Sequence, residues 1–273
     1  MQTGNYYKAV GNVHMSVIAN IDILGYKSFV EKPNSLEETK LYLDLLKNAV
    51  NKSFEFIRDK TPDFIEYRGW EIKAYTDNIS ICFPVIEGNI NGYSSSVCAL
   101  NAMLYMLGRF QIELIKEGSF FVRGAIAIDE VYSDEIIVYG KGLLKAHEAE
   151  ENLAIFPRII MAESAKMLVD GHIQQVKDTE IEYYLPEILG DSDGQYFVDY
   201  LKILNNDDEL SENDFLQIHR DTILQKIAEY SGIPPVLRKF LWVVSYHNYH
   251  CKRKGLDGLI IDSAPYDFRE LMG

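Results

Sequence analysis

Two apolar stretches, each containing an aspartate, constrain the fold of this chain more than any other feature. Asp22 lies near the end of the stretch 17–26, and Asp77 lies inside the stretch 70–81. A carboxylate in such a stretch needs a partner, because burying an unpaired charge is costly. Two carboxylates on neighbouring strands repel each other unless a divalent cation lies between them, which is how two-metal phosphoryl-transfer sites are built. For either aspartate alone, a role in ordering a strand-end turn stays open.

The composition narrows the class of protein. The 273 residues are 47% hydrophobic and 25% charged, which is typical of a globular protein with one large domain or two small ones. The net charge of −14 argues against nucleic acid as a partner, but not against a nucleotide bound through metal ions. Three scattered cysteines and a first segment without an apolar leader predict a cytoplasmic protein with no direct membrane insertion.

The hydrophobic periodicity predicts an α+β fold. The successive elements are a strand over 12–24, a helix from the capping box of Ser35 and Glu38 to about residue 59, a hairpin over 70–83, a helix after the serines at 94–96 and a strand over 120–128. This β-α-β-β-α-β order is the ferredoxin-like plan of a sheet with helices on one face. We expect residues 1–175 to form the catalytic core and residues 176–273 to form a mostly helical extension packed on the same domain.

Four segments, in this order along the chain, resemble the class III nucleotide cyclase family. Residues 22–26 are similar to the first metal-binding motif of that family, residues 73–78 to the second, residues 123–126 to its Arg-x-Gly-Ile strand and residues 138–150 to the helix at its dimer interface. The resemblance covers roughly residues 12–165 and implies the class III cyclase fold.

Four positions depart from the purine cyclases of that family. Leu144 and Glu148 occupy the positions of an Asn and an Arg, Ile137 replaces the residue that reads adenine, and Thr76 stands where a glycine is usual. The chain is in these respects more similar to the pyrimidine cyclases of the bacterial Pycsar antiphage system. Those enzymes make cyclic UMP or cyclic CMP, which activates a separate effector protein.

The resemblance implies a metal-dependent conversion of UTP or CTP to the 3′,5′-cyclic monophosphate and pyrophosphate. Asp22 and Asp77 are the expected catalytic residues and, together with the main-chain carbonyl of Ile23, the expected ligands of two Mg²⁺ or Mn²⁺ ions. One ion would lower the pKa of the ribose 3′-hydroxyl, and the other would neutralise the triphosphate. Because active sites of this family lie between two subunits, a homodimer is expected.

A second set of residues is expected to bind the nucleotide. The backbone amides around Leu24, Gly25 and Tyr26, at the mouth of a helical turn, suit the β- and γ-phosphates. The others lie on the hairpin, the following strand and the interface helix: Lys73, Thr76, Arg123, Lys141 and Lys145. A solvated position for Lys73 and a structural salt bridge for Arg123 stay open as alternatives.

Two other functions also stay open. One is an adenylate or guanylate cyclase with unusual base contacts, and the other is a non-catalytic nucleotide-sensing module. The presence of both aspartates and of Gly25 favours catalysis, since a degenerate sensor is expected to lose at least one of them. The sequence does not decide between UTP and CTP. His247, His250 and Cys251 share a helical face, where packing is favoured over zinc binding because no fourth ligand is near.

Overall fold

The computed structural model describes residues 13–25, 35–60, 71–75, 78–85, 89–90, 92–134, 136–179, 182–204, 211–262 and 268–271. In this part of the chain, nine strands form one sheet and two short strands form a separate hairpin. None of the helices described combines the length and the apolar character needed to cross a lipid bilayer.

The first half of the chain builds a sheet with two long helices. Its elements are β1 (Val13–Ile23), α1 (Leu36–Lys60), β2 (Glu71–Tyr75), β3 (Asn78–Pro84), β4 (Asn89–Ile90), β5 (Tyr93–Ser94), α2 (Ser95–Gly118) and β6 (Val122–Ser133). The predicted capping box of α1 is confirmed, because the amide of Glu38 donates to Oγ of Ser35 at 3.1 Å and the amide of Ser35 donates back to the Glu38 carboxylate. At the start of α2, Oγ of Ser94 accepts a hydrogen bond from the amide of Val97.

The strand order confirms the predicted α+β fold. Strands β6, β1, β3 and β2 lie side by side in that order, and each is antiparallel to its neighbour. The last, first, third and second strands of a β-α-β-β-α-β unit are thus adjacent, which is the ferredoxin-like arrangement. Strand β6 is longer than predicted, because its polar residues after position 128 continue to pair with the start of β1.

The prediction that helices cover only one face of the sheet is wrong. Side chains alternate along β1, so that Val17 and Ala19 belong to the core cluster shared with α2. Ile18 points to the other face, where it shares a cluster with Ala146 of α3 (Lys141–Leu153). Small residues on this face of β6, such as Ala127, leave room for α3 to lie close to the sheet. Strand β7 (Val138–Tyr139) leads into α3.

The remainder of the chain lengthens the same sheet. Its elements are β8 (Ile159–Met161), α4 (Glu163–Asp178), β9 (Ile188–Asp191), β10 (Tyr196–Val198), α5 (Tyr200–Ile203), α6 (Glu212–Glu229), α7 (Pro234–Lys254) and β11 (Phe268–Glu270). Strand β8 pairs in parallel with β6, and β10, β9 and β11 follow in antiparallel pairs. The C-terminal extension therefore contributes three strands as well as helices. Each is only three or four residues long, too short for a clear alternating pattern.

Candidate active site

Asp22 lies one residue before the end of β1, on the sheet face that carries Ile18 and α3. It pairs with Asn78 of β3 on one side and with Arg123 of β6 on the other. Directly opposed residues of an antiparallel pair share a face, so Asp22 and Arg123 point to the same side. Asn78 is the residue that follows Asp77 in the sequence. The predicted site residues Asp77, Thr76 and Tyr26 lie outside the described residues.

Arg123 joins Asp22 to a second carboxylate. Its Nε donates to Oδ2 of Asp22 at 2.8 Å, and its Nη2 lies 2.9 Å from Oε1 of Glu150 in α3. The Glu150 side chain is only 4% exposed. Burial raises the pKa of Glu150, the positive charge of Arg123 counteracts that rise, and the negative charge of Asp22 adds to it. Of the two roles that the sequence leaves open for Arg123, the structure contains the salt bridge.

Polar side chains of three neighbouring strands form a row on the same face. Lys73 of β2 is directly opposite Ser80 of β3, and Ser80 donates through Oγ to Oδ1 of Asn20 in β1 at 3.2 Å. Nδ2 of Asn20 lies 3.5 Å from Nδ1 of His147 in α3. Asn20, Asn78, Ser80 and His147 line a cleft of about 730 Å³. This cleft is large enough for part of a small ligand.

The turn after β1 holds Leu24 and Gly25. The Leu24 amide donates to the main-chain oxygen of Phe121 at 2.9 Å, so this amide continues the ladder with β6. The Leu24 amide is therefore occupied within the sheet. Gly25 has φ +93°, a conformation that residues with a side chain rarely adopt. A Cβ at Gly25 would lie 3.7 Å from the hydroxyl of Tyr230, so α6 packs on this turn.

Lys141 and Lys145 lie away from Asp22 within the chain. Lys141 is paired with Glu130 at 3.1 Å, and Lys145 is paired with Asp129. Asp129 is opposite Ser16 of β1, six positions from Asp22, which corresponds to about 20 Å along the strand. Lys141 nevertheless lines the same cleft as Asn20 and Asn78.

Residues of the extension that sequence reasoning missed lie beside the turn after β1. Lys226 of α6, Tyr230 directly after that helix and Lys239 of α7 line a pocket of about 110 Å³ together with Leu24 and Gly25. The charges of Arg123, Asp22 and Glu150 all act on the pKa of Lys239, although burial, which lowers it, is the main cause of its shift. No motif marks these lysines, and only the packing of α6 and α7 brings them to β1.

The histidines of the extension form a buried hydrogen-bonded cluster. Nδ1 of His219 lies 3.0 Å from Nδ1 of His247, and the hydroxyl of Tyr200 lies 2.7 Å from Nε2 of His219. His250 binds Asp199 at 2.7 Å. Burial lowers the pKa of His247 to about 4 and holds the pKa of His219 well below its usual range. These contacts describe a packed polar core.

The donor chemistry at Asp22 fits a hard divalent cation. Its carboxylate lies at a strand end with 17% of the side chain exposed, and oxygen ligands of this kind suit Mg²⁺ or Mn²⁺. Within the described ranges, no group of three or more His, Cys, Asp or Glu side chains is arranged to hold a metal ion. Such a site at Asp22 would also need Asp77.

Comparison with known proteins finds similarity in structure only. No family model and no curated protein matches the sequence. A guanylyl cyclase domain of a fusion protein from the aquatic fungus Blastocladiella emersonii is 12% identical, with 68% of this chain and 96% of that chain covered at a TM-score of 0.43. An adenylyl cyclase from P. aeruginosa is 16% identical, with 68% and 94% covered at a TM-score of 0.40.

A third similar structure is the guanylate cyclase domain of a protein from Catenaria anguillulae in complex with GTP. It is 14% identical, with 69% of this chain and 98% of that chain covered at a TM-score of 0.40. The structural neighbours are thus guanylyl and adenylyl cyclase domains. The likeness is too distant to indicate a substrate for this chain, whose chemistry has to be inferred from its own residues.

Proposed function

We propose that this chain is a metal-dependent nucleotide cyclase of the cytoplasm that converts UTP or CTP to the 3′,5′-cyclic monophosphate and pyrophosphate. Its product would be a second messenger of antiphage defence, read by a separate effector protein. The position of Asp22 carries the proposal. Asp22 of β1 is paired with Asn78 of β3, and Asn78 follows Asp77 in the sequence. This pairing supports the proposal that both carboxylates belong to the same end of two neighbouring strands.

Asp22, Asp77 and the main-chain carbonyl of Ile23 would hold two Mg²⁺ or Mn²⁺ ions. Bound ions of this kind lower the pKa of the ribose 3′-hydroxyl and neutralise charge on the triphosphate. Arg123 orients the Asp22 carboxylate through its 2.8 Å hydrogen bond. Because Arg123 also contacts Glu150, it keeps one anionic partner when Asp22 turns towards a cation. Gly25 and Tyr26, the proposed phosphate contacts, follow β1 and Leu24 in the sequence.

The cleft beside β1 supports a pyrimidine substrate. Asn20 and Ser80 give it a polar floor, and Lys73 is directly opposite Ser80 on the next strand. Lys73 and Thr76 are the proposed nucleotide contacts. Ile137, at the position that reads adenine in purine cyclases, is 52% exposed and has no side-chain donor or acceptor. A purine edge left unpaired in a closed site would cost about 1–3 kcal/mol per polar group.

A homodimer is proposed because the parts of the site are divided between the two ends of the sheet. Lys141 and Lys145, the proposed nucleotide contacts on α3, are held by Glu130 and Asp129, which lie opposite the other end of β1 from Asp22. Large apolar side chains are exposed next to them: Tyr139 is 74% exposed and Leu144 is 56% exposed. A second copy that covers these side chains would bring its lysines to the Asp22 of its partner.

We also propose that residues 176–273 belong to one domain with the core formed by residues 1–175. Asp191 of β9 accepts hydrogen bonds from Arg158, which precedes β8, and from Nε1 of Trp242 in α7 at 2.7 Å. The Arg158 side chain is fully buried over the ring of Trp242. A charge buried in this way depends on both parts of the chain, which supports a single folding unit.

Two other functions use the same residues. An adenylate or guanylate cyclase would share the chemistry of Asp22 and would differ only in the base that the cleft binds. The hydrogen bond from Arg123 to Asp22 favours a non-catalytic nucleotide-sensing module, because a carboxylate already paired with arginine attracts cations less strongly.

Incubation of the purified protein with equimolar ATP, GTP, CTP and UTP and with Mn²⁺ distinguishes these functions. Products are separated and identified by mass. We expect cyclic UMP or cyclic CMP to dominate. Cyclic AMP or cyclic GMP as the main product would instead favour a purine cyclase, and nucleotide binding without any cyclic product would favour the sensing module.

A further inference from the structure

The pocket between the turn after β1 and the C-terminal helices has the features of an anion-binding site. It lies between Leu24 and Gly25 on one side and Tyr230 and Lys239 on the other. Its volume of about 110 Å³ exceeds the roughly 10–15 Å³ that one water molecule requires by the same measure. There is thus room for a group the size of a phosphate.

Of the two lysines that line this pocket, Lys239 is the better candidate for an anion ligand. Within the described parts of the chain, no carboxylate lies at ion-pair distance from its ammonium group, which is half-buried. A partly desolvated charge without a partner is costly, so an anion in the pocket would recover part of that cost. The protein has a net charge of −14, so acidic side chains outnumber basic ones. A half-buried lysine without a carboxylate partner in the described parts of the chain is therefore unusual.

Lys226 adds a second positive charge on the opposite helix. Its ammonium lies 3.2 Å from Oε2 of Glu229 and 6.0 Å from the centre of the Tyr230 ring, and 22% of its side chain is exposed. Glu229 neutralises part of this charge. Lys226 therefore ranks second to Lys239 as an anion ligand, although a flexible lysine can turn from Glu229 towards a bound anion.

The electrostatic surroundings connect this pocket to the proposed catalytic carboxylate. The charges of Asp22 and Arg123 both act on Lys239, and Leu24 and Gly25 lie two and three positions after Asp22 in the chain. A nucleotide whose α-phosphate lies at Asp22 would extend its remaining phosphates past the Gly25 turn. Leu24 and Gly25 of that turn line the pocket.

On the basis of the proposed function, we propose that Lys239, assisted by Lys226, binds the terminal phosphates of the nucleoside triphosphate. The C-terminal extension then supplies part of the substrate site. A free polyphosphate has the same linked phosphate groups and is expected to bind in the same pocket.

The test measures binding by titration calorimetry in Mg²⁺ buffer with three probes: inorganic tripolyphosphate, the α,β-methylene analogue of UTP and UMP. Lys239→Met should weaken binding of the first two by about 10- to 100-fold, and Lys226→Met should weaken it less. UMP binding should be unchanged, because UMP has no β- or γ-phosphate. Lys239→Arg should restore binding, and Lys252→Met, which removes an exposed lysine of the same helix, should have no effect.

Unchanged tripolyphosphate binding in Lys239→Met, or an equal loss of UMP binding, would overturn the assignment of this pocket. If Lys239→Met unfolds, Lys226→Met decides, and unchanged tripolyphosphate binding in that variant would overturn the assignment. Because tripolyphosphate binding needs no cyclisation, a protein that makes no cyclic nucleotide but binds tripolyphosphate through Lys239 would refute the cyclase and keep the pocket. If Lys239→Met instead cyclises the nucleotide at the wild-type rate and with the wild-type KM, the cyclase would be kept and the pocket assignment refuted.

Discussion

Replacing Arg123 with methionine should destabilise the protein by leaving a buried carboxylate without its cation. Arg123 contacts Asp22 at 2.8 Å and Glu150 at 2.9 Å, and the Glu150 side chain is almost completely buried. Methionine keeps much of the aliphatic length of arginine but has no charge. In the Arg123→Met variant, Glu150 must either stay ionised without a partner or take up a proton, and both lower the free energy of unfolding.

The size of the effect follows from how deeply each group is buried. Removing one partner of a buried ion pair costs about 3–5 kcal/mol. The Arg123 and Asp22 side chains remain 25% and 17% exposed, and solvent screens that side of the cluster. We therefore expect a loss of about 3 kcal/mol, at the lower end of that range. Adding Glu150→Gln removes the stranded charge, so the double variant should recover most of the loss.

Urea unfolding followed by circular dichroism measures this loss. With a slope of about 3 kcal/mol per molar urea, a loss of about 3 kcal/mol lowers the midpoint by about 1 M. Lys52→Met is the matched control, since it breaks the more exposed pair with Glu117 and should cost less than about 1 kcal/mol. A midpoint of Arg123→Met equal to that of the control, or a double variant no more stable than the single variant, would refute the reasoning.

Three further changes affect stability, two of them at glycines and one through its dependence on pH. Gly124→Ala should cost about 1–3 kcal/mol because its Cβ would lie 2.6 Å from the main-chain oxygen of Asn20, whereas Gly171→Ala, a helix position with nothing within 4 Å, should gain about 0.5–1 kcal/mol. Equal melting temperatures of the two variants would contradict this. Burial lowers the pKa of His247 to about 4, so its contribution is fully present above about pH 6.5 and is lost as the pH falls towards 4. The free energy of unfolding, measured at stepped pH, should decline by about 3 kcal/mol less in a His247→Asn variant, which still contains His219, and an equal decline in both proteins would contradict the assignment.

The order of the core elements could be predicted because each carries a strong local signal. β1 combines β-branched residues with an alternation that survives in the structure, where Val17 and Ile18 face opposite sides. The Ser35 and Glu38 pair marks the start of α1 by chemistry that involves only neighbouring residues. The short strands of the extension carry no comparable signal, because three or four residues are too few for periodicity to be recognised.

The site could be predicted only in part, because several of its contacts form between distant segments. The position of Asp22 at the end of β1 follows from the sequence. The salt bridge of Arg123 does not, since Glu150 reaches it only when α3 packs on the same face of the sheet. Lys226 and Lys239 lie on helices without a motif, and tertiary packing alone brings them to the turn at Gly25.

The most direct test of the account compares cyclic nucleotide formation by the wild-type protein with that of Asp22→Asn and Asp77→Asn in the presence of Mn²⁺. Asp170→Asn is the matched control, because it removes a carboxylate that is hydrogen-bonded to Tyr196 on the exposed side of α4. The two-metal mechanism predicts no product from Asp22→Asn or Asp77→Asn at unchanged circular dichroism, and wild-type activity in Asp170→Asn. Activity near the wild-type level in either Asp22→Asn or Asp77→Asn would contradict the account.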